Sequence, residues 1–533
     1  MTARRTTTLA GTLAALVIGS SVLLAPPALA HGPGGKPGPG PGPGHGHSRG
    51  IDEERFASKV TTRGVFRHLE ELQRIADRND GNRAAFTDGY EESARYVERT
   101  LKKAGYTTTR DPFTVDFEVV DAAVATLNGE QTFDVDQMQY SPSTDEDGIS
   151  APVSVPTVVT GCVASDWEGV EVTGTIAVVQ RGGDCPFSQK ATVAEAAGAV
   201  GVVVFNNAGE LFFGTLGSEG VVDIPVASMS QEDGEAVVEA DALEGGATLA
   251  LDLRFHTETR ESFNVIAETR TGRDDNVVML GAHLDGVEEG PGINDNGTGS
   301  ATLLEVAVQL AKEKKHNNTV RFAWWGAEEL GLLGSTAYVD ELATQEGQLD
   351  RIATYLNFDM IGSPNYIIGV YDADESTYPA PEGVPVPPGS AETEDVFTEY
   401  FDSIGQPWVD TEFSGRSDYQ AFIENGVPAS GLFTGADDVK TEEEVALFGG
   451  TAGITHDPNY HSPADDLSNV NREALGIMAK AVAFATASLA NDTSAINGVS
   501  GPGDQGHHHG PWKPGKGKGH WHGLERGSDR RAA

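Results

Sequence analysis

The chain has 533 residues, with 37 Lys and Arg against 80 Asp and Glu, a formal charge of −43, and two cysteines. That length exceeds one ordinary domain, so two structured units plus tails are expected. So acidic a surface repels nucleic acid and anionic membranes and suits solubility outside the cell; no nucleic-acid partner and a monomer are expected.

The chain opens with Arg4 and Arg5, an apolar run over 9–24, and then Ala28-Leu29-Ala30. This order is that of a secretory signal peptide over 1–30, ending in a small-residue cleavage site. The apolar run is short for a membrane span and is broken by Gly19, Ser20 and Ser21. No second stretch reads as a membrane crossing. Removing 1–30 takes away two arginines and no acid, which moves the charge from −43 to −45. In an oxidising compartment Cys162 and Cys185 are expected to form one disulfide.

Residues 31–50, rich in Gly and Pro, cannot bury a core and read as a linker. Phe66, Leu69, Leu72 and Ile75 then recur at helical spacing, as do Ala94, Val97 and Leu101, with Gly105 as the stop. A strand over 113–120 follows. From 124 the texture changes to short β-rich runs at 153–159, 175–180 and 200–205, with one helix over 190–197. Near 255 the first texture returns. Residues 124–255 are therefore an expected insertion in a larger domain spanning 51–123 and 256–490. Within that domain, strands at 277–280, 319–325 and 355–360 alternate with a helix over 300–312, which predicts an α/β fold with a mostly parallel sheet. The tail over 491–533, with His507, His508 and His509, reads as disordered.

Chemistry gathers at the predicted strand ends. After 277–280 come His283, Asp285 and Asp295; after 319–325 come Glu328 and Glu329; Asp359 lies at the end of the strand over 355–360; Tyr460 and His461 follow much later. Open α/β sheets place their ligands beyond the carboxyl ends of the strands. Two histidines and four carboxylates suit two metals sharing one carboxylate, with a water between them. A further carboxylate is then needed to carry protons. Asn296-Gly297-Thr298 matches a glycosylation sequon but lies in the proposed metal loop, so it is read as a chance match.

The segments GAHLDG, GINDNGTG, RFAWWGAEELG, YLNFDMIGSPN, GRSDY, GLFTGA, GGTAG and YHSPADDLSNVN resemble those of secreted di-zinc aminopeptidases of actinobacteria, within the co-catalytic zinc aminopeptidase/carboxypeptidase superfamily. The resemblance covers about 51–123 and 256–490. It implies a three-layer zinc exopeptidase fold and two Zn²⁺ per chain, with His283 and Asp359 on one zinc, Glu329 and His461 on the other, and Asp295 bridging. It further implies Glu328 as general base and acid, Asp285 hydrogen-bonded to His283, Tyr460 stabilising the oxyanion, and Arg416 and Phe433 contacting substrate. The insertion resembles a protease-associated (PA) domain, including its paired cysteines. Two departures stand out. Where relatives without the insertion often carry a disulfide flanking the YHS motif, this chain has Asn459 and Ala464. Where some bind calcium through acids near the last helix, it has Gly476 and Lys480.

The expected activity is removal of N-terminal residues from peptides with a free amino end. An apolar pocket near Phe433 favours large hydrophobic first residues. A carboxypeptidase or dipeptidase on the same scaffold would need a basic cluster, for which Arg416 is the one candidate. A non-catalytic peptide-binding relative would have lost ligands, and every expected ligand type is present.

Overall fold

In a computed structural model, residues 50–500 are described apart from 184, 219, 382 and 383. The expected signal peptide, nearly all of the linker and the histidine-bearing tail lie outside the described residues. After the short helix Glu53–Ala57 come two long helices, Thr62–Arg78 and Asp88–Ala104. Thr61 and Thr87 cap them by accepting from the Gly64 and Tyr90 amides, which satisfies amides with no partner inside the helix. The second helix ends where expected, at Gly105, whose φ of 104° is open to glycine at little cost.

The strand that follows, Thr108–Leu127, runs much further than expected. It pairs antiparallel with Thr248–Glu268, from Thr108↔Ala267 to Leu127↔Leu249. The expected boundaries at 124 and 255 thus fall inside two continuous strands. One end of this ribbon joins the main sheet, where Val265 pairs with Trp324. The other end enters the insert, where Leu251 pairs with Ile149. There the strands Ile149–Ser154, Ile176–Gln180, Gly201–Phe205 and Val226–Met229 lie side by side, and Gln131–Gln137 closes them back onto Thr108–Leu127. The ring leaves no free edge to pair with another chain. Cys162 and Cys185 are disulfide-bonded in this insert. A second helix, Gln231–Asp241, was not expected; Ser230 caps it by accepting from the Asp233 amide.

The main sheet carries the parallel strands Asn318–Trp325, Arg273–His283, Ile352–Phe358 and Ala429–Phe433 in that order. Successive side chains point to opposite faces, and both faces are covered. Val278, Leu280, Phe322, Trp324, Leu356 and Phe358 pack on a helical layer that includes Leu69, Leu304 and Val482. Met279, Ala323, Trp325 and Tyr355 pack on the other side with Val339 and Phe422. The expected three-layer α/β arrangement follows. Helix Arg472–Asn491 is the one described helix long and apolar enough to cross a membrane, and 67% of that stretch is buried within the protein. The tail expected from 491 is structured further than predicted. Helix Ser494–Asn497 follows, and Thr493 Oγ1 accepts from Asn276 at 2.9 Å.

Candidate metal centre

The parallel strands end side by side. His283 is the last residue of its strand and pairs with Trp325. Asp359 follows Phe358 directly, and Glu328 and Glu329 lie three and four residues beyond Trp325. The sheet itself therefore gathers residues far apart in sequence.

His283 is fully buried, and its Nδ1 donates to the Asp285 carbonyl at 3.1 Å. A carbonyl only accepts, so the proton sits on Nδ1 and Nε2 faces the cluster. Nε2 lies 3.1 Å from Asp295 Oδ1, 3.2 Å from Asp359 Oδ1 and 3.9 Å from Glu328 Oε2. The other oxygen of Asp295 is 3.3 Å from His461 Nε2, which is itself 3.0 Å from Glu329 Oε2. Asp295 thus stands between two imidazoles, one on each oxygen. His283, Asp295 and Glu329 present ligand atoms within 4.8 Å of one another, and so do His283, Glu328 and Asp359.

The charges here are mutually dependent. Burial alone would raise Asp295, but the two imidazoles hold it well below the usual carboxylate range. Burial, with Asp295 adding to it, pushes Glu329 up to about 7. Burial pushes Glu328 well above its ordinary value against the pull of His283. His461, which burial would lower, is raised to about 10 by Asp295 and Glu329. Glu329 Oε1 is buried with no hydrogen-bond partner among the described residues. An orphaned carboxylate oxygen in a pocket of facing carboxylates and imidazoles fits a bound cation.

The backbone around these residues is held tightly. Ala327, Met360 and His461 have φ of 58°, 48° and 52°, a left-handed conformation that costs energy for residues other than glycine. The expected Asp285–His283 contact runs through the Asp285 carbonyl. The Asp285 carboxylate is 3.7 Å from Nδ1, too far for a hydrogen bond, and instead faces the amides of Glu328 at 3.3 Å and Glu329 at 3.4 Å.

Several supporting residues had no assigned role in the sequence reading. Ser417 donates to Asp359 Oδ2 at 2.6 Å. Asp465 accepts from the amides of Asn294 at 2.8 Å and Asp295 at 3.0 Å. Asn294 and Asn469 both donate to Asp457, and Asn459 donates to Asn469. This polar clamp, which includes Asn459, ties the His461 loop to the Asp295 loop. Asn296, in the sequon, is buried with its amide donating to the Phe358 carbonyl, so it presents no surface acceptor for a glycan.

Tyr460 stacks on His461 with ring centroids 3.8 Å apart. Burial raises its phenol far above the ordinary value; Asp295, Glu329 and Glu328 add to this, and Arg416 opposes it. Arg416 is exposed and lies 3.6 Å from Asp437. Phe433 ends the outer parallel strand, and its ring lies nearly parallel to that of Tyr371, 6.4 Å away.

Residues 264–486 match the model for peptidase family M28, and residues 149–237 match that for the PA domain. The chain is 42% identical over 455 residues to a probable lipoprotein aminopeptidase, LpqL, of Mycobacterium tuberculosis, covering 85% of this chain and 89% of that one. It is 44% identical over 420 residues to a probable leucine aminopeptidase 2 of Aspergillus fumigatus, covering 78% and 80%. Among solved structures it resembles BSAP, a zinc aminopeptidase from Bacillus subtilis, with a TM-score of 0.59 and 26% identity over 82% of this chain and 98% of that one. The chain belongs to peptidase family M28, carries an inserted PA domain, and is an aminopeptidase of that family.

Proposed function

We propose that the cluster around Asp295 holds two zinc ions and removes large hydrophobic residues from the free amino end of peptides outside the cell. The observation that carries this reading is the placement of Asp295, one oxygen toward His283 and the other toward His461. Imidazole and carboxylate donors suit zinc. His283 and Asp359 would hold one ion, Glu329 and His461 the other, with Asp295 shared. Bound there, the pair would polarise a scissile carbonyl and acidify a water between them.

Glu328 is the residue we assign to proton transfer. Its carboxylate faces the cluster, with Oε2 3.9 Å from His283 Nε2, where it suits a base that takes a proton from the attacking water and returns it to the leaving amine. Glu328 and Asp359 are the candidates to hold the substrate's ammonium group. Tyr460, protonated at any working pH, would donate to the oxyanion. Phe433 would border an apolar pocket for the large hydrophobic first residue, and Arg416 would contact the substrate beside it. The inserted unit, which we place at 124–255, and its disulfide fit an extracytoplasmic setting.

The test compares a leucyl anilide with its N-acetylated twin, before and after chelation, with zinc added back. Cleavage of the free amine alone, lost on chelation and restored by zinc, is the expected result. Equal cleavage of the blocked substrate, or activity that survives metal removal, contradicts the reading.

A further inference from the structure

Arg83 lies in the turn between the first two long helices, outside the segment 264–486 that matches the family model. It is fully buried. Nε donates to the Pro291 carbonyl at 2.9 Å, Nη1 donates to the Leu284 carbonyl and Nη2 to the Gly292 carbonyl. Leu284 follows His283 directly, and Gly292 lies three residues before Asp295. One rigid guanidinium fork therefore spans both limbs of the loop that carries two proposed ligands. The loop leaves it no spare room, since a Cβ on Gly292 would sit 3.1 Å from Nη2 and 2.6 Å from the Asp295 carbonyl.

All three acceptors are backbone carbonyls. The opposing charges are the Asp285, Asp465, Asp295 and Glu329 carboxylates, which act on the guanidinium through space. A buried cation is costly, and a lysine could not reproduce this planar three-way contact.

We infer that Arg83 is a positioning residue: its fork fixes the 284–295 loop before metal arrives and thereby sets the affinity of the Asp295 site. This rests on the metal reading given under Proposed function. Partners that orient metal ligands from outside typically change affinity 10–100-fold when replaced.

The experiment strips zinc from the full chain by chelation and measures zinc affinity by competition with a chromogenic chelator. Arg83→Gln is expected to weaken affinity about tenfold or more. Arg83→Lys, which keeps the charge and loses the fork, is expected to weaken it similarly. At saturating zinc, the Gln variant should keep the wild-type KM for a leucyl substrate, because Arg83 reaches no substrate. Affinities within threefold of wild type in both variants overturn the inference, and so does full recovery in the Lys variant alone, which would make charge the operative property. If the variants do not fold, hydrogen exchange on the zinc-free wild-type protein decides. Amides over 284–295 already protected support the inference; free exchange there overturns it. A wild-type protein that binds no zinc defeats the metal reading itself, which is a separate outcome.

Discussion

Two buried cations, one in each region, show how differently the metal loop and the insert are built. Arg83 and Lys190 are both fully buried and both held by backbone carbonyls. Burial lowers Arg83 to about 10, with four site carboxylates opposing the shift. Burial lowers Lys190 to about 8, with Asp166 opposing the shift. Lys190 Nζ donates to the carbonyls of Thr160 at 2.6 Å and Gly182 at 2.7 Å, and lies 3.7 Å from Cys162 Sγ. It pins the disulfide loop. The metal loop is organised around surplus negative charge that a cation would balance; the insert is organised around a covalent staple. Damage in the first region should therefore appear as lost chemistry or lost metal, and damage in the second as lost stability.

The sharpest contrast comes from Glu328. Glu328→Ala should lower kcat by about 10²–10⁴-fold while keeping metal content, as read by anilide hydrolysis and metal analysis. Normal turnover in that variant would remove its assigned role. Next comes the staple: Cys162→Ser with Cys185→Ser should lower stability by about 3 kcal/mol in denaturant titrations. The same double variant should keep kcat and KM; a large fall in kcat would show that the insert shapes the site.

A smaller effect is expected at the clamp. Asp465→Asn keeps one good acceptor for the two amides of Asn294 and Asp295, so zinc affinity should fall about tenfold by chelator competition. Unchanged affinity would make the clamp dispensable. The smallest effect is a pH drift from Lys190. Its folded value of about 8 lies below the ordinary lysine value of 10.5, so between those values the unfolded chain binds more protons and folding stability rises with pH. Lys190→Met removes that gain. The melting-temperature difference should therefore move in favour of wild type as pH climbs from about 8 to 10, and a flat difference would count against a buried ammonium.

Much of the centre was legible because its chemistry sits at the ends of apolar runs. His283, Glu328, Glu329 and Asp359 each follow a strand whose hydrophobic pattern is unmistakable, and register then brings them together. The supports were harder to see. Arg83 is one polar residue in a turn, and Asp465 is one acid among many; only the folded chain shows which carbonyls and amides they meet. The same limit explains the ribbon. Its middle pairs Phe117 with Glu258, and the residues 256–261 around Glu258 are all polar, so nothing in the sequence announced that the strands 108–127 and 248–268 cross the domain boundary. Helix Gln231–Asp241 did carry a signal, the Ser230 cap followed by acids in the first turn.

Diffraction from zinc-loaded crystals at the zinc absorption edge tests the central claim most directly. Two anomalous peaks about 3.5–4 Å apart, one beside each oxygen of Asp295, are the predicted result. A single peak, or peaks away from Asp295, would contradict it.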